Sequence, residues 1–248
     1  MEIQPNCTDI NESGLIRFEE ALEKILNSVS SINDYECIPI EKACRRTLHQ
    51  SIVSSFNVPP HTNSAVDGYA INSQDLPADG ETAKLMINGI AYAGKPYTRT
   101  HHPEQCTRIM TGAVLPPGCD TVVMQEQVIV ENEHILLDDR HWPGQNVRQV
   151  GEDLRQGQTA LPSGKLLTPP DIGLIASLGI TEINVKRKIK IAITSTGDEI
   201  HNVGSPLIDS GIYDSNRYSL MAALDRPDIE LIDLGIIEDK PETLLNSF

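Results

Sequence analysis

The chain has 248 residues, 39% hydrophobic and 4% aromatic, with 20 lysines and arginines against 35 acids, for a formal net charge of −15. The length allows one large domain or two smaller ones, and the charge argues against a nucleic-acid surface or an anionic membrane as partner. An anionic substrate would need local basic groups, helix N-termini or a metal, acting against the global field.

In chain order, Met1 to Glu12 is polar. Ser13 is a candidate N-cap for a helix whose Phe18, Leu22, Ile25, Leu26 and Val29 recur at helical spacing and form one apolar stripe. The stripe is expected to bury against a second helical segment near Glu41–Leu48. Val53 to Phe56 reads as a short strand.

The stretch from Val58 to Ala70 comes next. Pro59 and Pro60 fix φ and remove two backbone donors, and Asn63, Ser64 and Asp67 then offer three short polar side chains that can bond to nearby backbone. Asp67-Gly68 reads as a turn dipeptide with glycine free to take positive φ. Either the stretch is a turn into the strand Tyr69–Ile71, or it is a braced loop offering a carboxylate to a ligand.

Residues from about Tyr69 to Leu137 read as β-rich, with short strands at Lys84–Ile90, Thr107–Met110, Asp120–Met124, Gln127–Val130 and His134–Leu137 and a hairpin turn at Glu131-Asn132-Glu133. Thr111 opens a sharp turn, and its hydroxyl can satisfy that turn or meet a ligand oxygen. Further on, Arg148 and Arg155 flank the acids Glu152 and Asp153. That pattern is a surface salt-bridge cluster, or it presents an arginine that meets phosphate bidentately. Thr168-Pro169-Pro170-Asp171 opens a helix with a capping box, with Ile172, Ile175 and Leu178 inward and Gly179 as the stop.

After Lys186-Arg187-Lys188, Ile189 to Thr194 is a β-branched strand suited to burial on both faces. It ends in Ser195-Thr196-Gly197-Asp198-Glu199. Tyr213-Asp214-Ser215-Asn216 caps a helix bearing Leu220, Met221 and Leu224, Ile229 to Leu234 is a second strand, and Asp239-Lys240-Pro241-Glu242 opens another helix. This β-α-β-α order begins a doubly wound parallel sheet. Ligands of such sheets bind beyond the carboxyl ends of the strands, so Asp198 and Glu199 are either a site pair or a solvated loop pair. Two parallel strands do not make a stable covered sheet, so the chain, ending at Phe248, is expected to be truncated.

The five cysteines, Cys7, Cys37, Cys44, Cys106 and Cys119, are odd in number and lack Cys-x-x-Cys spacing, which indicates neither a disulfide framework nor a zinc site. His101-His102 reads as a surface pair without acidic or thiol partners. There is no signal-peptide pattern and no apolar run of membrane-spanning length, and with the thiols this points to the cytoplasm.

Asn63-Ser64-Ala65-Val66-Asp67-Gly68-Tyr69-Ala70 resembles the Asn-Ser-Ala-Met-Asp-Gly-Tyr-Ala signature of the molybdopterin molybdenumtransferase family (MoeA and the gephyrin E-domain). Six further blocks follow in that family's order: Ile109–Ala113, Val122–Glu126, Asn146–Arg148, Gly151–Asp153, Ser195–Glu199 and Tyr213–Arg217. The resemblance runs from about Phe18 onward. It departs at Thr62, where members often carry Asp, and the family's later Gly-rich and Pro-Gly segments and C-terminal β-barrel are not in this sequence.

The resemblance implies an α/β multidomain fold. Residues 1–56 with 138–185 would form an α+β N-terminal helical linker domain, 57–137 an inserted β-rich module, and 186–248 the incomplete start of a doubly wound, molybdopterin-binding-like α/β domain. The implied activity is insertion of molybdate into adenylyl-molybdopterin with Mg²⁺-dependent loss of AMP, by a homodimer. Asp67, Thr111 and Glu199 are the implied catalytic residues; Asn63, Ser64, Gly68, Arg148 and Asp198 would bind substrate. Asp67 and Glu199 could hold Mg²⁺, a hard cation that prefers oxygen ligands. The alternative is a non-catalytic binding or dimerisation fragment of that family.

Overall fold

A computed structural model of the chain describes residues 16–240 and residues 242, 243 and 245. Met1 to Glu12, the expected cap Ser13, and Pro241 and Phe248 of the last expected helix lie outside the described residues. In chain order the elements are α1 (Phe18–Ser28), β1 (Tyr35–Pro39), β2 (Ile52–Val53), β3 (Asn63–Ser64), β4 (Gly68–Ile71), β5 (Thr82–Ala91), β6 (Gln105–Ile109), β7 (Thr121–Met124), β8 (Ile129–Glu131), β9 (His134–Asp138), β10 (Val147–Arg148), β11 (Thr159–Leu161), α2 (Pro169–Ser177), β12 (Glu182–Lys186), β13 (Ile189–Thr196), β14 (Ile200–His201), β15 (Ile212–Tyr213), α3 (Ser215–Leu224) and β16 (Ile229–Ile237). The architecture is mixed α/β with few helices. The chain divides into two compact units, Met1–His49 with Glu182–Phe248, and Gln50–Thr181.

Gln50–Thr181 is built on a six-stranded mixed sheet in the order β7-β4-β6-β5-β9-β8. β4 is buried along its whole length and pairs antiparallel with both β6 and β7. Its side chains alternate between two clusters, as the period of a strand requires. Tyr69 and Ile71 join Leu85, Cys106, Val123, Ile135 and Leu137, while Ala70 joins Ala91, Ile109, Ala113 and Val122. β5 and β6 run parallel, so the chain cannot return by a tight hairpin and uses the long connection between Ala91 and Gln105. The expected β-rich strands are present with ends shifted by a residue or two. The β8–β9 hairpin turns at Asn132, which takes positive φ (55°). α2 carries the expected capping box: the Asp171 carboxylate accepts the Thr168 N–H at 2.9 Å and its hydroxyl at 2.7 Å.

Gly68 corrects the turn reading of Asp67-Gly68. It is absent from the positive-φ glycines and is the first residue of β4. Glycine is required there because a Cβ would stand 2.1 Å from the Val123 carbonyl oxygen of β7.

In the other unit, β1 and β12 pair antiparallel, and the buried Arg46 donates to Glu36 Oε1 at 2.5 Å and to the Lys186 carbonyl at 2.7 Å. β13 and β16 pair parallel, as expected. Three expectations fail here. The second helix near Glu41–Leu48 is only a 3-10 turn at Ile40–Lys42, after which Arg45 takes positive φ (63°). α1 forms but buries none of its residues, and Phe18 is 75% exposed. β13 is not covered on both faces: Ile193 is its one buried residue, and Ile189 is 45% exposed.

Candidate functional site

Four of the sequence blocks meet in one place. β3 pairs with β10, setting Ser64 against Val147 and Asn63 against Arg148. The Ser64 carbonyl accepts the Gly112 N–H at 2.8 Å, and the Ser64 N–H donates to Ala113 O at 3.0 Å. The Ala65 N–H donates to Asn146 O at 2.9 Å, and the Gln125 N–H to Asp67 O at 3.2 Å. Backbone bonding thus gathers segments from across the unit around the short chain from Asn63 to Gly68.

Asp67 and Thr111 are directly joined. Asp67 Oδ1 accepts both the Thr111 N–H and the Thr111 hydroxyl, each at 2.7 Å. Those two bonds, the backbone one foremost, hold the Asp67 carboxyl below the usual carboxylate range, with a smaller contribution from the Arg108 charge. Since its hydroxyl proton faces Asp67, Thr111 can offer a ligand an acceptor but not a second donor. Asp67 Oδ2 takes no hydrogen bond among the described residues.

The other expected residues take different places. The Ser64 hydroxyl donates to Val66 O at 2.6 Å, a local bond that shapes the loop. Asn63 lines a hollow of about 360 Å³ with Pro60, His61, Gly94, Pro96, Gly112 and Val114. The Arg148 guanidinium is occupied: Nη2 lies 2.5 Å from both Asp153 oxygens, and Nε lies 3.6 Å from Glu152. Asp198 and Glu199 belong to the other unit, exposed in the loop after β13, where the Glu199 carbonyl accepts the Ile212 N–H at 2.8 Å.

Other buried or paired side chains carry little signal of it in the sequence. Arg108 of β6 lies over the Tyr69 ring, 5.0 Å from its centroid, and donates to Gln125 Oε1. Its position beside the Ile109–Ala113 block was the one available signal. His101 is not a surface residue: its Nε2 lies 2.6 Å from Asp75 Oδ2, with the ring 5% exposed. Burial pushes the Cys119 thiol up to about 12, and Cys106 likewise, so both are protonated at neutral pH. Arg217, buried in α3, binds Asp214 at 2.7 Å and both oxygens of Asp233 at 2.7 and 2.6 Å. Among the described residues no three His, Cys, Asp or Glu side chains group as a metal site, and no helix is long and apolar enough to cross a membrane.

Residues 16–179 match the family described as the MoeA N-terminal region (domain I and II). The chain is 37% identical over 235 residues to a molybdopterin molybdenumtransferase of Haemophilus influenzae, covering 94% of this chain and 57% of that protein. It is 33% identical to the protein of that name from a Nostoc species, covering 89% and 51%. A crystal structure of a molybdopterin biosynthesis moeA protein from Pyrococcus horikoshii superimposes with a TM-score of 0.86 at 31% identity, covering 94% of this chain and 64% of that one. The chain therefore spans little more than half the length of the curated relatives it matches.

Proposed function

The chain belongs to the MoeA N-terminal region family, and from that premise we propose that it acts in molybdenum cofactor biosynthesis as a molybdopterin molybdenumtransferase. Its substrates would be molybdate and adenylyl-molybdopterin: the dithiolene sulfurs would replace oxygen on molybdenum, which leaves as water, and a water would add across the phosphoanhydride to give AMP and the molybdopterin phosphate. The observation that carries this reading is the Asp67–Thr111 pair, set where four blocks of the family resemblance converge.

In this reading Asp67 stays ionised at neutral pH and presents Oδ2 to the reacting groups. Thr111 fixes the other oxygen, and Gly68 and Ser64 hold the loop in shape. Mg²⁺ suits such a site, because it usually keeps several waters and binds through one or two carboxylates plus substrate phosphate. Asp67 would be a ligand through Oδ2, and the metal would supply charge neutralisation at the phosphoanhydride. In its own unit Glu199 is an exposed carboxylate at the end of a parallel strand, a position that favours a role toward ligand. The exposed apolar stripe of α1 supports a homodimer, and the free Cys37, Cys44, Cys106 and Cys119 accord with a cytoplasmic setting.

The test is molybdate-dependent AMP release from adenylyl-molybdopterin by the purified chain. Asp67→Asn keeps the shape and removes the charge, and is expected to lower the rate by about a hundredfold or more, the scale of a lost electrostatic group at a reacting centre. An unchanged rate would return Asp67 to a purely structural role.

A further inference from the structure

Arg148 looks from sequence like the guanidinium for a phosphate, but its donors already meet Asp153 and Glu152. Among the described residues, the other arginines at least half-buried also hold carboxylates: Arg46 holds Glu36, and Arg217 holds Asp214 and Asp233. Arg108 is the exception. It is half-buried across from Tyr69 in the β4–β6 register and enters no ion pair among the described residues. Its contacts are a neutral amide, Gln125, and the face of the Tyr69 ring.

A cation drawn partly out of water without a counter-ion is unfavourable, and an arriving anion relieves it. The clamp between ring and amide also orders the guanidinium in advance, which lowers the entropy cost of binding. Its remaining N–H groups suit the fork geometry of a phosphate-like oxoanion. Arg108 also lies three residues before Thr111, and its charge reaches Asp67. In a chain of net charge −15, such a local cation is what an anionic substrate requires.

We propose that Arg108, rather than Arg148, is the guanidinium that binds the tetrahedral oxoanion of the substrate beside Asp67. This rests on the function proposed above for the identity of the oxoanion, which is either the phosphate of the AMP moiety or molybdate. The test titrates the purified full chain separately with AMP, sodium molybdate and adenosine, by calorimetry and by the ¹⁵N signal of the Arg108 Nε–H.

AMP or molybdate is expected to bind and move the Arg108 signal, and adenosine to leave it in place; the anion that does so identifies the source. Arg108→Met is expected to weaken binding of that anion about tenfold or more, as the loss of a charge-assisted hydrogen bond should. Arg108→Lys should weaken it less, and Arg148→Met should leave it within about twofold. Gln125→Leu, which frees one side of the clamp, gives a second variant should Arg108→Met fail to fold, and is expected to weaken binding severalfold.

Binding of neither anion, wild-type binding by Arg108→Met, or loss in Arg148→Met instead would overturn the assignment. Because anion binding is read without product formation, its failure is distinguishable from failure of the AMP-release test.

Discussion

The Asp67 carboxylate is asymmetric: Oδ1 accepts two hydrogen bonds from Thr111, and Oδ2 accepts none among the described residues. Its folded-state titration lies below the ordinary carboxylate range, so the group is ionised from that range upward. Thr111→Val keeps the backbone N–H but removes the hydroxyl. The Asp67 midpoint, followed by ¹³C NMR of its carboxyl, is expected to rise, and the acid limb of AMP release to move to higher pH with it. Thr111→Ser should restore both, and an unmoved midpoint in Thr111→Val would show that the hydroxyl does not act on Asp67. Asp67 and Thr111 were each legible in the sequence. Their bond was not, because they are 44 residues apart and only the β4–β6 register joins them. Gly68 reads as a turn residue for a related reason: the demand on it comes from the Val123 carbonyl of another strand.

At the scale of elements, legibility tracks how local the cause is. The α2 capping box lies within four consecutive residues, and the structure reproduces it. Period 3.6 revealed the helix of α1 but not what, if anything, would cover it. The Arg217 network was missed because Asp214-Ser215-Asn216 reads as a simple helix start, while the decisive partner, Asp233, lies on β16. Burial alone pushes the Asp214 carboxyl up, but hydrogen bonds from Arg217 and Ser195 and the charge of Arg217 together reverse this and hold it below the ordinary range. A carboxyl lowered in the folded state stabilises fully above its unfolded titration, and that contribution fades as pH falls below about 5. Arg217→Met leaves Asp214 buried without its counter-ion, and is expected to cost about 3 kcal/mol or more in urea denaturation at neutral pH. A loss under about 1 kcal/mol would mean that the network does not secure α3.

For the molecule as a whole, the β-α-β-α order from Ile189 onward predicts a parallel pair of strands, and β13 and β16 form one. Coverage was the part that composition could not supply, since it depends on neighbouring surfaces rather than on the strand itself. Among the described residues, the α1 stripe of Phe18, Leu22, Ile25 and Leu26 is an exposed apolar feature that is regular in sequence. If it seats a second copy, sedimentation equilibrium should give twice the 27.2 kDa chain mass, and Leu22→Glu with Leu26→Glu should give the single mass. A wild-type monomer would rule out α1 as a self-association surface. Transfer of molybdenum to the dithiolene sulfurs can be followed by molybdenum K-edge absorption of the purified chain with adenylyl-molybdopterin, molybdate and Mg²⁺. The expected result is molybdenum–sulfur scattering that appears together with free AMP in the wild type and is lost in Asp67→Asn; molybdenum bound only by oxygen, with the adenylyl group intact in the wild type, would contradict it.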